Sequence, residues 1–253
     1  MKHAITRAVS RRIVECELTH VARTAIDLDV ARSQHAAYEA ALEACGVKVH
    51  RLPEAPELAD SVFVEDTAIV LDDVAVMMRP GAPSRRPEVA SVRAALAPYR
   101  QLLDLVGPGT MDGGDVLVLG KTIWVGITSR TTVEAVQELA DLVAPHAYRV
   151  EATVVRGALH LKTAVTQVGP DLLAVNPEWI DISTFPGYAQ VAVHPSEPFA
   201  ANAVRLNGRV IHSTQFPRTQ ERLRAAGVDV LGVDASELAK AEGGVTCCSL
   251  LVS

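Results

Sequence analysis

Short apolar runs recur along the chain, and several of them form pairs separated by only a few turn-forming residues. The breaks within these pairs are Asp72-Asp73, Gly120-Lys121, Gly169-Pro170-Asp171 and Asn207-Gly208. Asparagine and glycine readily adopt the left-handed backbone of a two-residue hairpin turn, so Asn207-Gly208 gives the strongest hairpin signal. Asp-Asp is a poorer turn pair, although the apolar runs beside it still favour a hairpin. The pattern predicts hairpins over residues 68–78, 115–126, 161–175 and 203–212.

Amphipathic stretches and single apolar runs follow these hairpins in a regular order. Residues 29–45 carry apolar side chains among polar ones, and Gly46 supplies a glycine stop, which predicts a helix. The predicted helices are 29–45, 87–98, 131–143 and 218–226, and the predicted strands after them are 47–52, 102–106, 148–154 and 229–233. A strand over residues 4–9 and a terminal strand that carries Cys247 complete the set.

The unit of hairpin, helix and strand recurs roughly every fifty residues, which is typical of a repeat architecture. No charged run, low-complexity tract or long linker interrupts the units. We therefore predict a single α/β domain over residues 1–253, with five units in a ring rather than in an open array. The alternative is a doubly wound sheet, but no G-x-G-x-x-G follows a first strand, and hairpins outnumber simple crossovers.

Composition and charge narrow the class of protein. The 253 residues are 49% hydrophobic and 21% charged, as in ordinary globular proteins, and the formal net charge is -6. Because no long basic run occurs, nucleic acid is not an expected partner. No apolar run approaches the ~20 residues that cross a bilayer, and no apolar leader follows the first residues. We expect a soluble protein with neither a membrane partner nor a secretory signal.

The cysteines are the first candidates for chemistry. They lie at positions 16, 45, 247 and 248, which gives no spaced disulfide framework and favours reduced thiols in the cytoplasm. Successive side chains of a strand point to opposite faces, so a terminal strand would present only one of Cys247 and Cys248 to a pocket. A thiol alone is weak evidence, since unpaired cysteines mostly pack as small hydrophobic residues. A nucleophile also needs an acid–base group and carboxylates.

Polar residues of suitable kinds stand where the predicted units begin. They are Asp60, Glu65 and Asp66 before the first hairpin, Asp112 before the second, His160 at the start of the third, and Cys247 in the terminal strand. In a ring, all of them would arrive at one end of the common axis.

Each of these residues also has a structural interpretation. Asp112 and Asp115 suit turns between glycines, Asp60 suits a cap, and His160 suits a hydrogen-bonded surface site. Glu65 and Asp66 stand between apolar residues and are expected to be partly buried. Since a buried carboxylate needs a cationic partner, a cationic substrate could supply one.

Six segments, taken together, carry a family resemblance. They are Val62-Phe63-Val64-Glu65-Asp66-Thr67, Arg79-Pro80-Gly81-Ala82-Pro83-Ser84-Arg85-Arg86, Asp112-Gly113-Gly114-Asp115-Val116, Ser129-Arg130-Thr131, Leu159-His160-Leu161-Lys162 and Gly244-Val245-Thr246-Cys247-Cys248-Ser249. In order and spacing they resemble the dimethylarginine dimethylaminohydrolase family, with the weakest match over residues 176–200. The resemblance implies the pentein fold, a five-bladed α/β propeller that arginine deiminase and the amidinotransferases share. It also implies hydrolysis of Nω-methylated arginines to citrulline and a methylamine, without a cofactor or metal.

The resemblance also implies roles for individual residues. Cys247 matches the nucleophile, His160 the acid–base group and Asp112 the carboxylate that orients the imidazole. Asp60 and Asp66, with Glu65 beside them, match the groups that hold the guanidinium.

Other matched residues would contact a small-molecule substrate at its two ends. Arg85 and Arg130 match the pair that binds the substrate carboxylate, while Leu18 and the backbone near Ala241 match the contacts to its α-amino group. Phe63 is the expected wall beside the methyl groups. The chain departs from the family in two places: Glu242-Gly243 stands where Asp-Gly is frequent, and the match around Leu18 is loose.

Three other interpretations compete with this one. An arginine deiminase-like hydrolase would use the same covalent chemistry and release ammonia, but that enzyme has His-x-Asp where this chain has His160-Leu161-Lys162. A guanidino-compound binder would keep the carboxylates without turnover. A structural zinc site of Cys247, Cys248 and His160 does not match the usual cysteine spacing. We expect a monomer or a homodimer.

Overall fold

The computed structural model describes residues 2–252, which form five three-stranded sheets. The strands are β1 (His3–Arg7), β2 (Lys48–Leu52), β3 (Ala68–Val70), β4 (Val74–Met77), β5 (Gln101–Asp104), β6 (Val116–Leu119), β7 (Thr122–Ile127), β8 (Arg149–Val154), β9 (Val165–Gly169), β10 (Leu172–Val175), β11 (Ala189–Ala192), β12 (Ala203–Leu206), β13 (Arg209–Ser213), β14 (Asp229–Val233) and β15 (Leu250–Val252). The helices are α1 (Leu28–Ala44), α2 (Glu88–Leu96), α3 (Val133–Val143), α4 (Leu161–Ala164), α5 (Pro217–Ala225) and α6 (Ser236–Ala239).

Each sheet repeats one pattern of strand pairing. The strand orders are β15-β1-β2, β3-β4-β5, β6-β7-β8, β9-β10-β11 and β12-β13-β14. In every sheet the first pair is antiparallel and the second pair is parallel. A parallel pair needs a crossover, and α1, α2, α3 and α5 provide it in four of the sheets. The predicted unit of hairpin, helix and strand is thereby confirmed.

The first strand of each antiparallel pair faces a common axis. Residues of β3, β6, β9, β12 and β15 line one cavity with about 890 Å³ of empty volume. Neighbouring sheets also touch, as β9 does with β12 and β15 with β3. These sheets are the blades of the five-bladed pentein propeller, as expected.

Local sequence explains why α1 begins and ends where it does. The Asp27 side chain accepts hydrogen bonds from the backbone N–H groups of Asp29 and Val30 at 3.0 and 3.1 Å, which caps the helix N-terminus. Gly46, with φ of +80°, follows the last turn and adopts the left-handed conformation of a C-terminal stop. The buried face of the helix, including Tyr38 and Leu42, packs into the hydrophobic core beside β14.

The terminal strand is shorter than predicted. Cys247 does not lie on it, because residues 245–248 form a turn and β15 begins only at Leu250. The Cys247 backbone N–H bonds the Gly244 carbonyl at 3.2 Å, and the Thr246 N–H bonds Asn202 Oδ1 at 3.0 Å. These bonds take backbone groups that a strand would have used. Cys247 and Cys248 therefore do not alternate across a strand, and the prediction of a terminal strand at these residues was wrong.

Two other stretches depart from the sequence prediction. Residues 161–164 form the short helix α4 rather than the start of a strand, because Asp115 Oδ1 accepts the Leu161 N–H at 2.9 Å where the chain turns. β11 was not predicted, and in this blade the crossover carries only the 3-10 turn Ile182–Thr184 in place of a helix. Within residues 2–252, no helix is long and apolar enough to cross a membrane.

Candidate active site

A small pocket lies where the loops before the inner strands meet, at one end of the axis. Its empty volume is about 340 Å³. The predicted site residues that line it are Asp60, Phe63, Asp66, Arg85, Asp112, Arg130, His160, Ala241 and Cys247. Glu17, Leu159, Glu242 and Gly243 complete the lining. Residues from positions 60 to 247 thus reach one place, as a ring of blades requires.

Two predicted site residues do not line this pocket. Leu18 is half-buried and packs against the hydrophobic core. Glu65 points toward the axial cavity instead, where its Oε1 accepts a hydrogen bond from Lys162 Nζ at 2.6 Å and its Oε2 accepts one from the Thr246 hydroxyl at 2.8 Å. Adjacent carboxylates therefore face different cavities.

His160 and Asp112 form a buried pair. The distance from His160 Nε2 to Asp112 Oδ2 is 3.0 Å. Asp112 Oδ1 accepts the Gly81 N–H at 2.8 Å, which fixes the carboxylate. Only 1% of the Asp112 side chain is exposed, so this hydrogen bond is shielded from water.

Asp115 supports the same region, although the sequence suggested only a turn residue. Its Oδ2 accepts hydrogen bonds from the hydroxyls of Thr128 and Thr131 at 2.7 and 2.6 Å, and its Oδ1 holds the Leu161 N–H beside His160. Burial raises the pKa of Asp115 from 3.8 to about 6, against the opposing effects of His160 and these donors. The only signal for this role in the sequence was its place in Asp-Gly-Gly-Asp.

Asp66 faces the other nitrogen of the imidazole. It lies in the 3-10 turn Val64–Thr67, and its Oδ1 is 3.8 Å from His160 Nδ1 and accepts the Gly114 N–H at 3.0 Å. Its Oδ2 pairs with Arg85. Burial alone would raise the pKa of Asp66, but His160 and Arg85 outweigh it and lower the pKa. A Cβ at Gly114 would lie 2.5 Å from His160 Nδ1, so glycine is needed for this close approach.

The two predicted carboxylate-binding arginines have different environments. Arg85 is buried and pairs with Asp66 and with Glu88, whose Oε2 lies 2.9 Å from its Nη2. Arg130 is half-buried, and its Nη2 donates to the Thr19 hydroxyl at 3.3 Å. Arg85 already has several protein partners, whereas Arg130 is more open to a ligand.

Cys247 lies in the turn that precedes β15. Its Sγ accepts the Gly244 N–H at 3.3 Å, and a side chain at Gly243 would collide with the Phe63 ring. Burial, together with the charges of Glu65 and Asp66, raises the pKa of Cys247 from 9.0 to about 12. Cys248 is also buried, but its Sγ is directed toward the Gly244 carbonyl, and it does not line the pocket.

The pKa of His160 is raised, although burial alone would lower the pKa of an imidazole. Burial lowers its pKa, but the carboxylates of Asp66, Asp115 and Asp112 outweigh burial and raise the pKa from 6.5 to about 9. The imidazole is therefore protonated at neutral pH, and it can donate to Asp112 through Nε2 while Nδ1 faces Asp66. The pocket pairs a neutral thiol with an imidazolium acid.

The site also contains a possible set of metal ligands. Among residues 2–252, the group whose ligand atoms lie within 4.8 Å of one another is Asp66, Asp112 and His160. A metal there would displace the proton of His160, and Gly81 and Gly114 already bond the two carboxylates. Hydrogen-bonded acid–base chemistry therefore fits these residues better. Within the described residues, Cys247, Cys248 and His160 do not form such a group.

Comparison with known proteins gives a consistent result. A family model described as N,N dimethylarginine dimethylhydrolase, eukaryotic, matches residues 17–185. The chain is 40% identical to an N(G),N(G)-dimethylarginine dimethylaminohydrolase of Streptomyces coelicolor over 98% of this chain and 96% of that protein.

Solved structures agree with the sequence matches. The enzyme of this name from Pseudomonas aeruginosa, a cysteine-to-serine variant in complex with citrulline, has a TM-score of 0.94 and 31% identity over 98% of both chains. A second dimethylarginine dimethylaminohydrolase structure, a histidine-to-glycine variant in an adduct with S-methyl-L-thiocitrulline, has a TM-score of 0.93 and 30% identity over 98% of both chains. The chain belongs to the dimethylarginine dimethylaminohydrolase family.

Proposed function

We propose that this protein hydrolyses Nω-methylated arginines, such as asymmetric dimethylarginine and monomethylarginine, to citrulline and dimethylamine or methylamine. One observation carries the proposal: a buried pocket holds the thiol of Cys247 together with His160, whose two ring nitrogens face the carboxylates of Asp66 and Asp112. The relatives solved with citrulline and with a thiocitrulline adduct support the same reaction.

Carboxylates prepare the pocket for a guanidinium. Asp60 and Asp66 both line it, and burial raises the pKa of Asp60, so a bound cation would stabilise its charged form. A guanidinium carbon is a poor electrophile because its charge is spread over three nitrogens. Carboxylates that bind its N–H groups hold the cation and favour the tetrahedral adduct, in which the charge is localised. Glu65 acts from behind this site, through Thr246 and Lys162.

Nucleophilic attack requires the thiolate of Cys247. A pKa of about 12 leaves little thiolate before a substrate binds. Binding of the substrate cation beside protonated His160 lowers that pKa, and the thiol proton leaves to solvent. The sulfur then bonds to the guanidinium carbon and forms a tetrahedral adduct.

His160 serves both half-reactions. Its proton passes to the methylated nitrogen, the carbon–nitrogen bond breaks, and a neutral methylamine leaves a covalent thiouronium on Cys247. The imidazole, now neutral, takes a proton from water as the water oxygen attacks the same carbon. The carbon–sulfur bond then breaks, and the proton of the added hydroxyl passes to the departing sulfur, which releases citrulline and restores the thiol of Cys247. Asp112 holds the imidazole by its hydrogen bond in both steps.

Contacts at the two ends of the substrate set its selectivity. Arg130 and Arg85, which both line the pocket, bind the α-carboxylate and so select amino acids over simple guanidines. The carbonyls near Leu18 and Ala241 accept the α-amino group. Phe63 lies against Gly243 in the pocket wall and gives the methyl groups an apolar surface.

The cellular setting follows from the same residues. Cys16, Cys45, Cys247 and Cys248 are free thiols, which suits a reducing compartment, and we place the protein in the cytoplasm. All of the proposed catalytic residues lie in one chain, so a monomer and a homodimer would both be competent.

A substrate comparison tests the proposal. The purified protein is incubated separately with asymmetric dimethylarginine and with arginine, and citrulline is measured over time. We expect faster citrulline release from the methylated substrate, with an equal amount of dimethylamine. Faster release from arginine would assign a deiminase, and release from neither, despite tight binding, would assign a guanidino-compound binder.

A further inference from the structure

The side chain of Glu242 bonds a loop that is more than two hundred residues away in sequence. Its Oε2 accepts the Thr19 N–H at 2.7 Å, its Oε1 accepts the Val21 N–H at 2.8 Å, and the His20 N–H also donates to Oε1. Hydrogen bonds to a charged carboxylate are stronger than neutral ones. One side chain thus fixes three consecutive backbone amides of a loop without regular secondary structure.

This loop forms part of the wall of the active-site pocket. Glu17 lines the pocket, and its backbone N–H donates to Asp60 Oδ2 at 3.1 Å. The hydroxyl of Thr19 accepts from Arg130 at 3.3 Å. Glu242 lines the same pocket and lies five residues before Cys247. The loop therefore touches two of the side chains that would meet a substrate, and Glu242 ties it to the segment that carries the thiol.

The backbone conformation at Glu242 does not favour the stability of its own turn. Its φ is +57°, a left-handed conformation that strains any residue with a Cβ and that glycine adopts without strain. A glycine would relieve the strain but would leave the Thr19, His20 and Val21 amides without their carboxylate. The strained glutamate is explained by what its side chain holds.

We propose that Glu242 is a positioning residue that holds residues 19–21 against the active-site pocket and thereby sets the affinity for the amino-acid end of the substrate. This inference rests on the proposed function, because that function assigns Arg130, which bonds Thr19 of the loop, and the Leu18 carbonyl to the amino-acid end. When a substitution removes the carboxylate of Glu242, the loop is released, while the Cys247 turn keeps its own bonds to Asn202 and Gly244. The affinity for the substrate then falls, while the rate of the chemical step stays the same.

The test compares Glu242→Gln and Glu242→Gly with the matched control Glu237→Gln. Glu237 accepts the Asp27 N–H at 2.8 Å, so it is also a carboxylate that holds this N-terminal segment, but at the end away from the pocket. Two quantities are measured for each protein: kcat and KM with asymmetric dimethylarginine, and the rate of tryptic cleavage after Arg23, which is exposed in the loop.

For both Glu242 variants we expect KM to rise about tenfold, which corresponds to about 1.4 kcal/mol, while kcat stays within about twofold. Cleavage after Arg23 should become several times faster. The Glu237 control should match the wild type in both measurements. Because glycine relieves the backbone strain, Glu242→Gly remains informative if Glu242→Gln folds poorly.

Two results would overturn the inference: unchanged KM and cleavage in both Glu242 variants, or a fall in kcat at constant KM, which would mean that Glu242 acts on the Cys247 turn. A wild-type protein without citrulline release would count against the proposed function alone. The cleavage rate would then still report whether Glu242 holds the loop.

Discussion

Glu65 and Asp66 are neighbours in the chain, yet their side chains enter different cavities, so the pair has a Glu65 end and an Asp66 end. Glu65 faces the axial cavity and pairs with Lys162, while Asp66 faces the pocket and lies beside His160 and Arg85. Both carboxylates are buried, and both have cationic partners. Burial and ion pairing alone therefore do not mark the reactive end.

The two ends differ in the partner of the carboxylate. At the Glu65 end the partner is the ammonium group of Lys162, whose Nζ lies 2.6 Å from Glu65 Oε1. His160, with a pKa of about 9, can give and take a proton beside a thiol. The Glu65 end instead holds the reactive turn in place, since the Glu65 N–H donates to the Cys247 carbonyl at 3.1 Å and the Thr246 hydroxyl bonds its carboxylate. We therefore propose that the Glu65 end is the supporting end and that the Asp66 end is the reactive one.

The largest expected effect separates the two adjacent thiols. Cys247→Ser should lower kcat by at least about 10⁴-fold, because an alcohol in this pocket has no base that can ionise it. Cys248→Ser should retain turnover within about tenfold, since its sulfur does not line the pocket. Citrulline release from asymmetric dimethylarginine measures both. If only the Cys248 variant lost activity, the nucleophile would be Cys248 and not Cys247.

The next largest expected effect is a loss of protein stability when the Glu65 end is changed. Lys162→Met removes the cation from buried Glu65 and should lower the free energy of unfolding by about 3–5 kcal/mol, measured by urea denaturation. The double variant Glu65→Gln/Lys162→Met removes both charges and should recover part of that loss. If Lys162→Met abolished turnover at unchanged stability, the division between a supporting and a reactive end would be refuted.

The smallest effect tests the reactive end through pH. Asp112→Asn should lower kcat by about 10²-fold, because the imidazole loses its orienting carboxylate. Asp112 is one of the groups that raise the pKa of His160, so its removal lowers that pKa from about 9. His160 then loses its proton at a lower pH, and the alkaline limb of the kcat/KM profile should move to lower pH. A profile whose alkaline limb stays in place would mean that His160 is not the acid.

Much of the fold could be predicted because its hairpins depend on nearby residues. Asn207 and Gly208 have φ values of +47° and +87°, the left-handed pair that such a turn needs, and β12 and β13 form on either side. Repetition of the unit then predicted the ring. The turn at Cys247 and the helix α4 escaped prediction because Asn202 and Asp115, which fix them, are 44 and 46 residues away in sequence.

The prediction of the site had the same limit, because contacts between residues far apart in the sequence could not be predicted. The chain order of Asp66, Asp112, His160 and Cys247 sufficed to predict that they meet, since each precedes an inner strand of the ring. The direction of Glu65 could not be predicted, because it depends on Lys162 and Thr246 from two other blades. The bonds of Glu242 to residues 19–21 were equally hidden, and its departure from the family's usual Asp-Gly was the only signal.

The central claim is that Cys247 attacks the guanidino carbon and that His160 supplies and removes the protons. The intact mass of His160→Gly, incubated with S-methyl-L-thiocitrulline, tests it most directly. Methanethiol leaves without an imidazolium, whereas hydrolysis of the thiouronium lacks its base, so a covalent adduct should accumulate. We expect a mass increase equal to that of the substrate less methanethiol, mapped to Cys247 and absent in His160→Gly/Cys247→Ser. An unmodified protein, or an adduct on Cys248, would contradict the account.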